Sequence, residues 1–300
     1  MKNFINKIHN RILSTIDRFF NKNILYPSDI SFLREGNYKN CEDYENISNV
    51  WDECSKEINR IFFDENHNFF KSDIVKLHLA MPQTSLGLQI HKLLSSDAYG
   101  QKLLNLIQDS PLGSPELLKK YPLLSTTTLT HIANIYSIYS ELGYSPTSKI
   151  NLLEFGGGYG GLGRAILNCN KNNRVTIIDI PRMLEIQNSY INKTSSNSEN
   201  ASYINIDQLP VDTSFDVFNA TFSLSESPVY VRKKITNYIK TNVDAFFIVF
   251  QSNFDGHDNE ALFEEFTNEL SDLFRIEKKL YKWYAPRNDA FLLTGKKLNK

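Results

Sequence analysis

Residues 152–161 read Leu-Leu-Glu-Phe-Gly-Gly-Gly-Tyr-Gly-Gly, and this run constrains the fold more than any other. The apolar stretch 150–155 has the length of a strand. It gives way to glycines and then to helical spacing through Leu167. A strand, a glycine-rich turn and a helix together form the setting in which such a motif gains meaning. Glycine lets the chain turn sharply and lets a ligand touch backbone where a Cβ would stand. A tight turn with no ligand is the alternative, and so many glycines in this setting argue against it.

The chain on either side differs in pattern. Residues 143–148, GYSPTS, read as a linker or tight loop. Before it, helical spacing dominates. The clearest case is 125–142, with Ser125 as a cap and Leu129, Ile132, Tyr136 and Tyr139 on one face. After it, strands are expected at 175–180, 203–206, 215–222 and 243–250. Helices are expected from Pro181 to Ile191, from Ser227–Pro228 onward, and over 258–273. Two closing strand-like runs, 274–282 and 290–295, flank a turn at Pro286. Alternation of this kind predicts an α/β fold: a Rossmann-like, doubly wound parallel sheet with a terminal antiparallel hairpin. A mainly helical region, 1–145, precedes a ligand-binding domain, 146–300.

Composition narrows the function. The 300 residues carry 33 basic and 34 acidic side chains, a net charge of -1, so no strong field draws the chain to nucleic acid or to an anionic surface. Cys41, Cys54 and Cys169 fit neither a disulfide framework nor a zinc-ligand spacing, which points to a reducing cytoplasm. Near the start, Phe4, Ile5, Ile8, Ile12, Ile16 and Phe19 recur at helical spacing. Charges interrupt them, so the stretch reads as a docking helix and not as a signal peptide or a membrane span; a membrane-surface or partner helix is the other option.

Two cofactors compete for the turn. Gly156, Gly158 and Gly161 satisfy GxGxxG, the dinucleotide pattern. Glu154, Gly156, Gly158 and Gly160 satisfy ExGxGxG, the pattern of class I methyltransferases, which bind S-adenosyl-L-methionine. Asp179, ending the next strand, suits the ribose diol of either. Three features favour the second. Glu154 stands where a pyrophosphate tolerates negative charge poorly; in a methyltransferase that acid lies near the ammonium of the methionine moiety. The motif sits mid-chain, with one sheet's length remaining. Asp207 follows the third strand, a position for an acid on the adenine amino group, although a turn-capping Asp is the equal alternative.

At these residues the chain resembles the bacterial sugar O-methyltransferase family. The likeness rests on LLEFGGGYGGLGRAIL, TIIDIPRMLEIQNSYI and DVFNATFSLSES, and extends back to STTTLTHIANIYSI, about the C-terminal three-fifths. It implies methylation of a hydroxyl on a sugar or nucleotide-activated sugar, with polysaccharide biosynthesis as the setting. A nicotinamide oxidoreductase and a non-catalytic adaptor that keeps the fold are the rival readings.

A sugar hydroxyl is a poor nucleophile at neutral pH, so a base is expected at the carboxyl ends of the strands. Glu226 follows the fourth strand in SLSESP, as base or anchor; a glutamate favouring a helix N-terminus is its ordinary reading. His131 lies in the helix before the linker and is otherwise a core or surface histidine. Tyr159 either contacts the cofactor or packs. Asn219 and Ser223 are candidate hydrogen-bonding groups, Arg287 a candidate anion contact, and His257 a further candidate base. No paired carboxylates accompany Glu226, so no metal is expected.

Overall fold

A computed structural model describes residues 43–64, 66–81, 83–145, 147–254, 257–284 and 289–298. The amphipathic stretch at the start of the chain, Cys41 and Arg287 lie outside the described residues. The described residues belong to one unit, Asn40–Lys300.

Helices come first: α1 (Asp43–Asp64), α2 (Asp73–His78), α3 (Thr84–Leu94) and α4 (Ala98–Leu106). A small hairpin follows, β1 (Leu117–Leu118) and β2 (Tyr121–Ser125), then α5 (Thr126–Leu142). The Ser125 side chain accepts from the Thr128 N–H and caps α5, as its position before the apolar stripe predicts. Asp109 reinforces the cap, accepting from the Ser125 N–H and from the Ser125 and Thr128 hydroxyls. Gly143 ends α5 at φ 70°, a conformation that glycine adopts without Cβ strain.

The sheet elements then alternate with helices: β3 (Asn151–Phe155), α6 (Gly161–Cys169), β4 (Arg174–Ile178), α7 (Pro181–Thr194), β5 (Ala201–Ile204), β6 (Phe215–Thr221), α8 (Val229–Asn242) and β7 (Val243–Gln251). A two-stranded ribbon, β8 (Asn253–Phe254) and β9 (His257–Asp258), leads into α9 (Asn259–Leu270), β10 (Phe274–Leu280) and β11 (Ala290–Lys297). The seven-stranded sheet has the order β10-β11-β7-β6-β3-β4-β5. Strands β7, β6, β3, β4 and β5 are parallel; β11 runs antiparallel to β7, and β10 to β11. The expected fold is observed, closing hairpin included.

The chain enters the sheet at β3, the middle of the five parallel strands, winds outward through β4 to β5, and then returns to build β6 and β7 on the other side of β3. Winding reverses between β3 and β6, and open α/β sheets bind ligands at the carboxyl ends of the strands where this happens. Apolar side chains fill both faces. Helices α5, α6 and α7 cover one, packing Ile132, Ile166 and Ile186 against Leu152, Val175 and Val217. Helices α8 and α9 cover the other, with Ile235 and Phe263 against Leu153, Phe218 and Phe246. The first face also carries polar clamps from the closing hairpin. Tyr281 donates to Asn134 at 2.7 Å and the Trp283 indole donates to Ser137 at 2.7 Å, which fixes α5 across the sheet. Among the described residues no helix is long and apolar enough to cross a membrane.

Candidate cofactor and active site

The glycine turn leaves β3 at Phe155 and enters α6 at Gly161. Gly156, Gly158 and Gly160 all have positive φ, at 72°, 56° and 94°. The reasons for glycine differ along the turn. A Cβ on Gly156 would lie 2.2 Å from that of Ser223, so its absence lets the loop after β6 close on the turn. The Ser223 hydroxyl uses that approach to donate to the Phe155 carbonyl at 2.5 Å. A Cβ on Gly158 would meet nothing nearer than Leu79 at 3.5 Å. Protein packing alone does not require glycine there; the backbone conformation and the open face of the turn do.

Two acids flank the turn from below. Glu154, on β3, is only 3% exposed and lies on the α6-covered face. Its Oε2 is buried and has no hydrogen-bond partner. Burial, and then the neighbouring Asp179 charge, push its carboxyl up to about 8, against a hydrogen bond from the Gly163 N–H that favours the charged form. That N–H belongs to the first turn of α6, so Glu154 already occupies part of the helix N-terminus. Asp179 ends β4. It accepts from the Ile180 N–H at 2.8 Å and from Gln187 Nε2 at 2.6 Å. Burial nevertheless pushes its carboxyl up to about 6, against those two hydrogen bonds and one from the Gly157 N–H. No lysine or arginine pairs with either acid among the described residues.

Beyond β6 the chain turns sharply. Phe222 has φ 65°, a costly conformation for an aromatic residue, of order 1–3 kcal/mol. Its N–H is anchored on the Val249 carbonyl at 2.7 Å. Arg232 donates to the Ser227 and Ser225 carbonyls, and the Ser225 hydroxyl reaches Gln251 at 2.9 Å. The loop carrying Glu226 is therefore pinned at several points, and Gln251 Nε2 donates to Glu226 Oε1 at 3.3 Å. Asn219, beside Glu154 in the parallel register, has a buried Oδ1 without a partner.

His131 reaches the turn from α5. Its Nε2 lies 3.3 Å from the Tyr159 hydroxyl and would be 2.5 Å from a Cβ on Gly161. Burial, and then the Arg164 charge, hold its imidazole down at about 4, so it is neutral at pH 7. Tyr159 itself is packed edge-on against Phe70 and Tyr190, with ring centroids at 4.9 and 5.0 Å. Asp207 stands apart from this group. Its side chain is 80% exposed and pairs with Lys234 at 2.7 Å, on the rim of an open groove of about 480 Å³ lined by Pro181, Leu184, Asn188 and Tyr203.

The structure thus brings Glu154, Asp179 and the glycines together, His131 with Tyr159, and Glu226 with Gln251. It adds two residues that the sequence reading passed over. Leu79 lies over Gly158, and Gln187 binds Asp179 and the Gly158 carbonyl, the latter at 2.9 Å. Gln187 leaves one trace in the sequence: a polar residue within the buried stripe Met183, Ile186, Tyr190 and Ile191. Among the described residues no group of three or more His, Cys, Asp or Glu side chains is arranged to hold a metal ion.

No protein-family model matches the chain, and no curated protein does. Among solved structures the chain is similar to the glycopeptide N-methyltransferase MtfA complexed with sinefungin, at 11% identity over 55% of this chain and 85% of that one, with a TM-score of 0.44. It is similar to the N-methyltransferase NodS of Bradyrhizobium japonicum WM9 in complex with S-adenosyl-l-homocysteine, at 13% identity over 68% of this chain and 100% of that one, TM-score 0.44. A third likeness is to the pyocyanin biosynthetic protein PhzM, at 12% identity over 58% and 57% of the two chains, TM-score 0.42.

The raised acids set the pH dependence of stability. A folded carboxyl that holds its proton longer than the unfolded one stabilises the fold at low pH and loses that contribution as pH rises. For Glu154 the loss runs from its ordinary value of 4.5 to about 8, and for Asp179 from 3.8 to about 6. Thermal unfolding of the ligand-free protein between pH 6.5 and 8.5, above the range in which the depressed His131 contributes the opposite slope, is expected to show stability falling as pH rises. Glu154→Gln, which fixes the neutral form, should flatten the profile; an identical slope in the variant would show that Glu154 does not titrate there.

Proposed function

We propose that the chain is an S-adenosylmethionine-dependent methyltransferase that acts on a hydroxyl of a sugar or nucleotide-activated sugar. The observation that carries the cofactor assignment is the buried Glu154 and the half-buried Asp179 beside the glycine turn, without a paired cation among the described residues. Such a site disfavours a pyrophosphate and suits a ligand with a cationic amino-acid end and a ribose diol. Asp179 would accept from the ribose hydroxyls, and the backbone of 156–160 would lie against the ligand. Glu154, mostly protonated at neutral pH in the ligand-free protein, would supply negative charge from beneath the turn once a cationic ligand end displaces its proton. Asp207 would lie toward the adenine end, and Tyr159 would hold the turn's outer flank. The bound cofactor supplies an electrophilic methyl group on a sulfonium centre.

The chain's own part is to align the acceptor and manage one proton. As the acceptor oxygen bonds to the methyl carbon and the carbon–sulfur bond breaks, the hydroxyl proton must leave. Two groups suit this. His131 is neutral at pH 7, and its Nε2 lies 3.3 Å from the Tyr159 hydroxyl at the edge of the turn. Glu226 sits on a loop tied down by Arg232 and Gln251, which limits the reorganisation needed during reaction. The helical residues before 145 are assigned to the acceptor side and to covering the site, as Leu79 does over Gly158. The sugar acceptor and its setting in cytoplasmic polysaccharide biosynthesis rest on the resemblance of 125–138, 152–167, 176–191 and 216–227.

Gly158→Val is expected to abolish S-adenosylhomocysteine binding in calorimetry while the protein still melts cooperatively. Gly158→Asn, which tolerates a positive φ better, should do the same with less strain. Retained affinity in either would remove the cofactor from this turn.

The acceptor is found by methyl transfer from labelled S-adenosylmethionine to a panel of sugar nucleotides. On that substrate the true base, changed by Glu226→Gln or His131→Asn, should lose ~100-fold or more in kcat, about 2.7 kcal/mol, with S-adenosylhomocysteine affinity nearly constant. Near-normal turnover in both variants would leave the base unassigned to either.

A further inference from the structure

Gln187 is fully buried, two turns into α7, on the face that otherwise carries Met183, Ile186, Tyr190 and Ile191. A packing role alone would be filled better by leucine or methionine. Instead its Nε2 donates twice, to Asp179 Oδ2 at 2.6 Å and to the Gly158 carbonyl at 2.9 Å. Its Oε1 is buried with no partner at all. An acceptor without a donor is unfavourable inside a protein. The reverse amide orientation is worse, because it would aim the carbonyl oxygen at the Asp179 carboxylate and at the Gly158 carbonyl. The amide is therefore held in one orientation by its two acceptors, and the orphaned oxygen is the consequence.

We propose that Gln187 is a positioning residue that aims the Asp179 carboxylate at the ribose hydroxyls of the bound cofactor and locks it to the glycine turn. The inference rests on the cofactor reading above. A carboxylate rotates readily about its last side-chain bond. Asp179 is held on both oxygens: Oδ1 by the Ile180 N–H at 2.8 Å and Oδ2 by Gln187. Those bonds fix the plane of the group. A carboxylate has about four lone-pair sites, and the Ile180, Gln187 and Gly157 donors leave about one of them for a ligand hydroxyl. Because the same Gln187 nitrogen bonds to the Gly158 carbonyl, the acid and the turn keep one spacing. The acid that meets the ribose and the backbone that lies against the ligand are thereby set as a unit.

Calorimetry with S-adenosylhomocysteine and its 2′-deoxy and 3′-deoxy analogues tests this. The wild-type protein should favour the full ribose by about 10-fold or more, the effect of losing a hydrogen bond to a charged acceptor. In Gln187→Leu, and in Gln187→Met, which keeps the length but has no donor, that preference should fall toward one while cooperative melting persists. In the ligand-free protein, the carbon-13 titration of the Asp179 carboxyl should move to higher pH in Gln187→Leu, because a donor to its charged form is gone. Merely structural damage would weaken all three ligands alike and leave the preference intact. Folded variants that keep both the preference and the Asp179 midpoint would overturn the proposal. A wild-type protein that binds all three ligands equally would overturn it as well, since Asp179 then does not read the ribose, while leaving the cofactor at the turn. A wild-type protein that binds none of the three would instead overturn the cofactor reading itself.

Discussion

Glu154 sits buried and Asp179 half-buried at the ends of adjacent strands, without a paired cation among the described residues, and the cost of ionising them there shapes the site. Burying an acid is costly unless it is protonated, hydrogen-bonded or paired. The chain uses the first two routes: Glu154 takes the Gly163 N–H and Asp179 takes Ile180 and Gln187, yet both hold protons well above their ordinary ranges. A fold keeps such a pair where something outside the chain gains from it. The two acids end β3 and β4, beside the point between β3 and β6 where the winding of the sheet reverses, the position that an open α/β sheet leaves available to a ligand.

Around that centre the chain is built to hold still. Phe222 is kept in a strained conformation by its N–H bond to Val249, and Ser223 enters the space left by the missing Cβ of Gly156. Arg232 and Gln251 fix the loop that presents Glu226. On the other flank, α5 is capped by Ser125 and Asp109 at one end and clamped by Tyr281 and Trp283 along its length. That clamping sets His131 against Gly161 and Tyr159.

What could be read in the sequence was whatever depends on near neighbours along the chain. The parallel strands are short apolar runs, the turn is marked by its glycines, and Ser125, Pro181 and Asp258 mark the starts of three helices. Glu154 and Asp179 were legible because each lies at a fixed distance from a strand end. The expected third strand, 203–206, lies two residues earlier, as Ala201–Ile204, because the Asn205 side chain caps a short helical turn and so ends the strand. The β1–β2 hairpin was not anticipated, since its first strand has only two residues. Leu79 over Gly158 and Gln187 against Asp179 join residues on different elements, and no local pattern announces them. Asp207 shows the limit from the other side: its place after a strand is plain, but the capping turn and Lys234 decide where its side chain goes.

The central claim is that this acid-lined turn takes a cofactor with a cationic amino-acid end and not a dinucleotide. Titrating the purified protein calorimetrically with S-adenosylhomocysteine and, in parallel, with NADH puts the two against each other directly. The account predicts saturable one-to-one binding of S-adenosylhomocysteine and no binding heat from NADH; saturable binding of NADH with none of S-adenosylhomocysteine would contradict it.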